Sequence, residues 1–358
     1  MPATTGTYSL DDLRLQNTAD ATINDFGENE AAQVVAAELA AHNLRYQDMT
    51  AALMTTTTER TLTYGGGSSR KLRRFDENGR LATKKSGFKG GTYGLPYDQF
   101  GDALGWNLDY IQTVTVSALR REIIAMQDAD VENLFDLVKA ALFVPTNYPW
   151  FDYLVDDAEL AVKRLLNGDG AAIPSNRAGT SFDPTTHTHY LGSTGWANEA
   201  IDAQIEHVRH HDHTGNIVVY VNASNVTNIS ALAKFMPARK DRVIYGADQT
   251  VANVTLDSNE SDDNRVIGLW DGLYDVQTKP WIPTGYSFTH DKQGPKPLTM
   301  RLPANAVQGG LRLVGDIDIY PLRANYYARR FGVGVGERTN GAVTWFGGVT
   351  YATPAGLA

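Results

Sequence analysis

Two long segments of the chain place apolar residues at helical spacing. In residues 30–54 the intervals alternate between four and three, and the stripe consists of Val35, Leu39, His42, Tyr46, Met49 and Leu53. In residues 114–143 one side carries Leu119, Ile123, Leu134, Val138 and Leu142, and Pro145 follows. Both patterns predict amphipathic helices, because a period of 3.6 residues brings such positions onto one face. The second helix would span roughly 45 Å at about 1.5 Å per residue, which is long enough to cross a whole domain.

The middle of the chain combines helical and strand patterns. Residues 217–221 read IVVYV, a continuous apolar run that predicts a strand buried on both faces. The preceding segment, 196–211, predicts a helix with Ile201, Ile205 and Val208 turned inward. Further helices are predicted at 222–236 and, more briefly, at 156–166. Together these elements indicate an α/β subdomain.

The remaining residues favour β-structure. A strand is predicted at 266–276, and residues 311–319 alternate so that one side carries Leu311, Leu313, Ile317 and Ile319. Segments 326–338 and 342–351 flank Asn340-Gly341, a dipeptide typical of two-residue hairpin turns. The fold class predicted from these patterns is α+β.

Residues 55–105 form a glycine-rich, basic segment between the two long helices. Between Glu59 and Gly91 there are nine basic and three acidic residues, which gives this segment a net charge of +6. Because the whole chain has a net charge of -9, the remaining residues carry -15. Glu77-Asn78-Gly79 predicts the turn of a hairpin over residues 72–82. We expect this loop to lie on a neighbouring copy of the chain, with these contact residues: Arg70, Lys71, Arg73, Arg74, Lys84, Lys85 and Lys89.

Acidic residues supply two candidate partners for that loop. One patch lies on the long helix and consists of Asp128, Asp130, Glu132 and Asp136. The other follows the helix and consists of Asp156, Asp157 and Glu159. Each exposed pair contributes only about 0–1 kcal/mol, but repetition in every subunit multiplies the effect.

Composition excludes several classes of protein. The 358 residues include no cysteine, which rules out disulfides, thiolate metal sites and cysteine nucleophiles. No run of about 18 apolar residues and no signal-peptide pattern occurs, so we expect a cytosolic protein without a membrane partner. The net charge of -9 argues against a protein that wraps nucleic acid directly, but it leaves open a protein that encloses DNA at a distance.

Histidines supply the most suggestive chemistry. Six of the eight lie between 187 and 213, namely His187, His189, His207, His210, His211 and His213. With Asp212 they could build a zinc or nickel site, although the pair His207 and His211 lacks the glutamate of a metalloprotease helix. Histidines near a helix C-terminus are also favoured by the helix dipole alone. We assign no catalytic, cofactor-binding or metal residue from sequence. Gly332, Gly334 and Gly336 predict a closely packed strand rather than a dinucleotide loop.

The order of the segments resembles that of tailed-bacteriophage major capsid proteins of the Hong Kong 97-type fold. The local sequences RVIGLWDGLYDVQTKPWIPTG (265–285) and LVGDIDIYPLRANYYARRFGVGVGERTNGAVTWF (313–346) are also similar to that family. The resemblance implies an N-terminal arm and helix at 1–54 and an extended loop at 55–105. It further implies a spine helix and peripheral domain at 106–194, an axial domain at 195–325 and a return to the peripheral domain at 326–358.

The resemblance also implies a function and a set of partners. The chain would self-assemble into hexamers and pentamers of an icosahedral head shell around double-stranded DNA, inside the bacterial host cytoplasm, without acting as an enzyme or binding a cofactor. A scaffolding protein, a portal and, as a further candidate, a decoration protein would be its partners. Some members of the family crosslink a loop lysine to a neighbouring asparagine, which makes Lys84, Lys85 and Lys89 candidates.

Two other classes of protein stay open. An encapsulin-like nanocompartment shell protein shares the fold, although such chains are typically shorter and lack a long insertion like 167–194. A metal-dependent hydrolase would instead use the histidine cluster. Particle size and metal content distinguish the three hypotheses.

Overall fold

The structure is a computed structural model that describes residues 22–64, 74–79, 91–107, 110, 113–237, 243–245, 251–253 and 265–357. The α-helices in this part of the chain are α1 Ile23–Phe26, α2 Glu28–Ala51, α3 Val116–Phe143, α4 Asn198–Arg209 and α5 Val226–Ser230. Short 3-10 turns occur at Ala223–Asn225 and Ala306–Gly309. None of the described helices combines the length and apolar content that crossing a bilayer requires.

Four sheets contain the described strands. The strands are β1 Met54–Thr57, β2 Thr61–Tyr64, β3 Gly91–Gly94, β4 Asp98–Asn107, β5 Tyr148–Phe151, β6 Glu159–Val162, β7 Tyr190–Gly192, β8 Ile217–Val221, β9 Phe235–Pro237, β10 Val243–Tyr245, β11 Val251–Asn253, β12 Val266–Trp270, β13 Tyr274–Thr278, β14 Tyr286–Asp291, β15 Leu298–Arg301, β16 Arg312–Ile319, β17 Leu322–Val335 and β18 Ala342–Trp345. The largest sheet has the order β7-β18-β14-β8-β13-β12-β9. A second sheet has the order β1-β15-β17-β16, with β4 also paired to β17. Strands β2-β3-β6-β5 form a third sheet, and β10 pairs with β11. The predicted mixture of helix and sheet is confirmed.

The long helix α3 has the extent that the sequence predicts. It begins after Thr115, whose hydroxyl accepts the backbone N–H of Ala118 at 3.3 Å and so caps the first turn. Ile123, Leu134, Val138 and Leu142 are buried, as the apolar spacing predicts. At about 1.5 Å per residue its 28 residues span roughly 42 Å.

Helix α2 packs against α3 through an apolar contact and a buried hydrogen bond. Val35 and Leu39 are buried against α3, and both belong to the predicted stripe. His42 is buried as well, and its Nε2 lies 2.9 Å from Asp130 Oδ2 on α3. The same carboxylate accepts a 2.6 Å hydrogen bond from Arg329 Nη1 on β17. This buried triad joins two helices and the second sheet.

The seven-stranded sheet forms around β8. All five residues of β8 are buried, and the strand pairs in parallel with β13 and antiparallel with β14. Helix α4 covers one face with Ile201, Ile205 and Val208, each at most 3% exposed. The predicted doubly buried strand and its covering helix are therefore confirmed.

The short helix predicted at 156–166 is wrong. Strand β6 lies in this segment and pairs antiparallel with β5. Leu160 and Val162 are buried while Glu159 and Ala161 are exposed, so the burial has the two-residue period of a strand. The neighbouring strand β5 supplies backbone partners that a helix over these residues would forgo.

Two further predictions around β8 need correction. The helix predicted at 222–236 ends at Ser230, because Phe235–Pro237 joins the sheet as β9 beside β12. The single strand predicted at 266–276 is instead a hairpin of β12 and β13. The three-residue connection contains Asp271 and Gly272, with left-handed φ values of 50° and 69°, and Leu273 N–H closes the turn by donating to Trp270 O at 3.0 Å.

The hairpin predicted around Asn340-Gly341 is also wrong, since β17 and β18 belong to different sheets. The side chain of Asn340 is fully buried and accepts the backbone N–H of Asp291 at 2.8 Å. Its amide donates to the carbonyl oxygens of Asp291 and Pro295 at 2.9 and 2.6 Å. These bonds hold the segment as a crossover between the two sheets.

Glycines in β17 allow close packing, as the sequence predicts. A Cβ atom at Gly332 would overlap the carbonyl oxygen of Pro96, and one at Gly334 would lie 2.7 Å from Leu95 Cδ2. Both positions therefore need glycine for contact with the neighbouring segment rather than for binding a nucleotide.

Candidate functional site: an assembly surface and a histidine cluster

Strands β4, β17 and β16 form an antiparallel ribbon. Strand β4 pairs with β17 from Asn107 opposite Leu322 to Asp98 opposite Phe331. On the other side, β16 and β17 are joined by the two-residue connection Tyr320-Pro321. The distal part of this ribbon, residues 313–326, is called the ribbon tip below.

The ribbon tip exposes large apolar side chains on a single subunit. Exposure reaches 70% at Ile319 and 84% at Tyr320. The seven members of this set are Leu313, Val314, Ile317, Ile319, Tyr320, Leu322 and Tyr326. A contiguous apolar surface on an isolated protein indicates an interaction site, because water contact with such a surface is unfavourable.

The alternation at 311–319 predicts the strand correctly but does not predict that its apolar side chains are exposed. The strand is confirmed, with a bulge between Leu313 and Gly315. Leu311 is buried at 4% exposure, whereas Leu313, Ile317 and Ile319 are exposed. Alternation places residues on one side of a strand but does not tell whether that side faces a core or a neighbouring molecule. The exposed apolar surface of the ribbon tip was therefore not predicted from the sequence.

An apolar groove lies between α2 and the ribbon. Its volume is about 1540 Å³, and its walls include Val35 and Leu39 from α2 and Leu313, Ile317 and Tyr327 from β16 and β17. Because the groove opens beside the ribbon tip, the two features form one continuous surface.

The residues predicted as inter-subunit contacts are mostly outside the described part of the chain. This applies to Arg70, Lys71, Arg73, Lys84, Lys85 and Lys89, and so the crosslinking hypothesis also stays a prediction. Arg74 is described and is exposed. The ends of the loop form the antiparallel pair β2 and β3, and the predicted turn is present, with Gly79 N–H donating to Asp76 O at 3.0 Å.

The acidic patch predicted on the long helix is reduced by one member. Asp130 faces inward to His42 and Arg329, because buried carboxylates need such partners. Asp128, Glu132 and Asp136 are exposed at successive intervals of four residues, so they form one acidic stripe along α3.

The second predicted acidic patch is partly used within the subunit. Arg60 donates to both oxygens of Asp156 at 2.9 Å, and this pairing lowers the pKa of that carboxyl. Asp157 and Glu159 are exposed. Arg60 therefore ties the base of the basic loop to its own chain.

Four histidines from two distant segments converge beside the seven-stranded sheet. His187 and His189 lie on an extended segment before β7, where alternate residues point to the same side. His210 and His211 follow the C-terminus of α4. One ring nitrogen from each of the four lies within 4.8 Å of the others.

Backbone hydrogen bonds hold both segments. His189 N–H donates to Leu166 O at 2.7 Å, and its carbonyl accepts Val343 N–H at 2.9 Å. His210 N–H donates to Glu206 O at 2.9 Å, in the manner of a helix C-cap. The Phe182 ring packs over the cluster, with centroid distances of 4.2 Å to His211 and 4.9 Å to both His187 and His210.

Burial sets the charge state of these imidazoles. Loss of solvation, together with neighbouring imidazoles, lowers the pKa of His187 and of His210 to about 4 and that of His211 to about 2. His189 is completely buried, which places its pKa well below the usual value. All four rings are therefore neutral near pH 7 and keep a lone pair.

The other predicted ligands lie outside this group. Asp212 accepts the backbone N–H of Arg177 at 2.6 Å, and His213 is hydrogen-bonded to Thr339 Oγ1 at 2.8 Å. His207 Nδ1 lies 2.8 Å from Ala203 O. The sequence indicated a cluster, but the end of α4 at Arg209 makes His210, rather than His207, its fourth member.

The whole fold is similar to that of a chain from Mycobacterium phage Patience. The two chains share 18% identity with a TM-score of 0.66, over 100% of this chain and 98% of the other. At this identity the likeness shows that the chain shares the fold of that phage chain. The resemblance to tailed-phage major capsid proteins is thus confirmed at the level of the fold.

Two further structures are similar to this chain at lower TM-scores. The capsid of the native GTA particle has 12% identity and a TM-score of 0.43, over 85% of this chain and 90% of the other. The SrpI encapsulin of Synechococcus elongatus has 11% identity and a TM-score of 0.42, over 86% and 90%. Neither a family model nor a curated protein matches the sequence.

Proposed function

We propose that this chain is the major capsid protein of a tailed bacteriophage and that it self-assembles into an icosahedral head shell enclosing double-stranded DNA. The observation that carries the proposal is the full-length fold match to a phage chain, with a TM-score of 0.66. The role is structural rather than enzymatic. The chain would assemble in the bacterial host cytoplasm and remain in the virion.

In this proposal the chain has the parts of the Hong Kong 97-type fold. Residues 1–54 form the arm, 55–105 the extended loop, 106–194 the spine helix and peripheral domain, and 195–325 the axial domain. Strand β17 would return the chain to the peripheral domain. Strand β18, however, pairs with β14 and β7, so we place it with the axial sheet.

The assembly surface supports self-association of this kind. The apolar ribbon tip and the groove beside it would be covered by neighbouring subunits in hexamers and pentamers. Every subunit of a closed shell makes the same contacts, so individually weak interfaces become sufficient. The basic loop at 59–91 would add contacts to the acidic stripe Asp128, Glu132 and Asp136 of an adjacent subunit.

Charge also favours enclosure of DNA over direct binding. Outside the loop the chain carries -15, which would repel phosphates at close range. DNA would therefore be held by the closed shell without sequence-specific contacts. A scaffolding protein, a portal and a decoration protein are the partners that such a shell would use.

Electron microscopy tests the proposal. The tag-free chain would be expressed with and without the scaffolding protein of its own phage. We expect uniform icosahedral shells only with the scaffold, and DNA in shells from infected cells. A chain that stays monomeric at high concentration in both cases, with no shells in infected cells, would refute the proposal. Uniform shells from the chain alone, without DNA, would favour an encapsulin-like nanocompartment instead.

A further inference from the structure

Residues 167–189 form a long segment without helix or strand, and its end lies beside the seven-stranded sheet, where His189 O accepts the backbone N–H of Val343 on β18. Because the chain contains no cysteine, no disulfide can hold this segment in place. Asn167 forms an isolated bridge with Thr188 at its ends, and Asn176 Nδ2 donates to His210 O at 3.1 Å within it. The four converging histidines lie where this segment meets the end of α4. His187 and His189 belong to the segment and its exit, whereas His210 and His211 belong to the helix end.

We propose that His187, His189, His210 and His211 bind one transition-metal cation, with Zn²⁺ as the expected ion, in a closed tetrahedral site that fastens this segment to α4. Zinc takes four nitrogen or sulfur ligands in structural sites, and imidazole suits it. This inference concerns a single subunit and does not depend on shell assembly.

The distances between ring nitrogens fit this geometry. With Zn–N bonds of about 2.0–2.1 Å, tetrahedral ligand atoms lie roughly 3.3–3.4 Å apart. His187 Nε2 lies 3.2 Å from His189 Nε2 and 3.0 Å from His211 Nε2. Two of the distances between ring nitrogens are thus already close to ligand spacing, and one ring nitrogen from each of the four histidines lies within 4.8 Å of the others. Small rotations of side chains would complete the tetrahedron.

Proton positions within the cluster favour a cation over hydrogen bonds alone. His189 Nδ1 donates to Gly341 O at 2.6 Å, so in the neutral ring Nε2 carries only a lone pair. His187 Nε2 faces that lone pair and also His211 Nε2. A proton on His187 Nε2 can form a linear bond with only one of them, and without a proton its lone pair opposes that of His189. A central cation would satisfy all these contacts together.

A second unsatisfied nitrogen points to the same conclusion. Within the described part of the chain, His210 Nε2 is buried without a hydrogen-bond partner. Leaving such a polar atom unpaired costs about 1–3 kcal/mol, so its presence calls for a ligand or a water. His189 is also oriented as metal-binding histidines are, because its other nitrogen donates to a backbone carbonyl.

The site would be structural rather than hydrolytic. The group found among the described residues consists of four histidines without a carboxylate. Four protein ligands fill a tetrahedron, whereas a catalytic zinc keeps one position for water. Asp212, the nearest acidic candidate in sequence, is engaged with Arg177. In this chain without cysteine, the metal would join the two segments as a disulfide joins segments in other proteins.

His207 supplies a matched control within the same cluster of rings. Its centroid lies 5.8 Å from that of His187 and 5.7 Å from that of His189, distances like those between the proposed ligands. It is nevertheless outside the group of converging nitrogens, and its Nδ1 lies 2.8 Å from Ala203 O on its own helix. A nonspecific histidine effect would involve His207 as much as His210.

Cobalt titration of the tag-free, unassembled subunit tests the site. After removal of metal by a chelator, we expect one Co²⁺ per chain with the intense visible absorption of tetrahedral cobalt. One equivalent of Zn²⁺ should abolish this absorption and raise the melting temperature. The variants His210→Gln and His187→Gln should each weaken binding more than tenfold. The variant His207→Gln should bind like the original protein.

Two results would overturn the proposal. One is the absence of a stoichiometric tetrahedral cobalt spectrum from the folded original protein. The other is an equal loss of affinity in His207→Gln and His210→Gln. Far-UV circular dichroism of the metal-free variants confirms that each is folded, and the use of two ligand variants keeps the test decisive if one of them fails to fold.

Discussion

The seven-stranded sheet and the ribbon tip differ in how far their apolar side chains are exposed to water. Where α4 covers the sheet, the buried side chain of Gln204 has its partners within the chain: it donates to Ala342 O at 2.9 Å and accepts from Ser287 Oγ at 2.6 Å. At the ribbon tip, apolar residues such as Tyr320 and Leu322 remain exposed at 84% and 61%. The first region buries its apolar core within one subunit. The second would lose its contact with water only in the assembly that we propose, so substitutions in the two regions should have separable effects.

The largest effect on the isolated subunit is expected at the buried triad. Asp130→Asn removes the negative charge between His42 and Arg329 and so breaks the buried ion pair between this carboxylate and the Arg329 guanidinium. Breaking a buried pair in this way costs about 3–5 kcal/mol. Urea unfolding of the unassembled chain measures this loss.

Asp128→Asn is the matched control, since it makes the same chemical change on an exposed position of the same helix. Its free energy of unfolding should change by no more than about 0.5 kcal/mol. Equal stability of the two variants would mean that the triad does not hold the helices to β17.

The opposite result is expected at the ribbon tip. The double variant Ile319→Ser, Leu322→Ser should keep its free energy of unfolding within about 0.5 kcal/mol, because both side chains are exposed in the subunit. Shell formation, counted by electron microscopy, should nevertheless be lost. The control pair Leu273→Ser, Val349→Ser changes residues of similar exposure outside the ribbon and should assemble normally. A ribbon variant that forms normal shells would remove the tip from the assembly surface.

A salt-dependent effect on assembly is expected from the basic loop. Charge reversal by Arg73→Glu and Arg74→Glu should abolish assembly while leaving the subunit folded. Reversal of the acidic stripe by Asp128→Lys and Glu132→Lys should restore part of the shell yield in the same chain. Salt should weaken association in the original protein, because surface pairs are screened beyond about 8 Å at physiological ionic strength. Normal yield and unchanged salt sensitivity in the first double variant would leave these residues as a solvated surface.

The sequence predicts those structural elements whose pattern lies within the element itself. Helices α2, α3 and α4 and strand β8 follow from local spacing of apolar residues. The assignments that failed depend on distant partners: Asn340 is held by Asp291 and Pro295, which precede it by more than 40 residues. The histidines were recognised as a group, but their pairing required the end of α4. Exposure of the ribbon tip has no local signal, because alternation is the same against a core or a neighbour.

A pH dependence of stability is also expected, and it comes from histidines in and beside the seven-stranded sheet. Burial lowers the pKa of His290 to about 3, and those of His187 and His210 to about 4, so the unfolded chain binds more protons than the folded one below about pH 6.5. Stability should therefore be full above that pH and fall as pH decreases toward the folded-state values. The melting temperature of the metal-free subunit should be lower near about pH 5 than near about pH 7.5.

His290→Phe checks the origin of this dependence. The ring of His290 stacks on that of Phe288 with an interplanar angle of 13°, so phenylalanine preserves the packing and removes the titration. The variant should lose less stability on acidification than the original chain. An identical pH profile would assign the effect to other groups.

Strand β17 has a mechanical consequence for a shell. Its 14 residues, roughly 48 Å at about 3.4 Å each, run without interruption from the exposed tip to the buried positions Phe331, Val333 and Val335. Force applied by a neighbour at Leu322 would act along one continuous backbone, with β4 and β16 resisting in shear through their ladders of hydrogen bonds. Pressure from packaged contents would thus be carried into the interior of each subunit rather than concentrated at its seams.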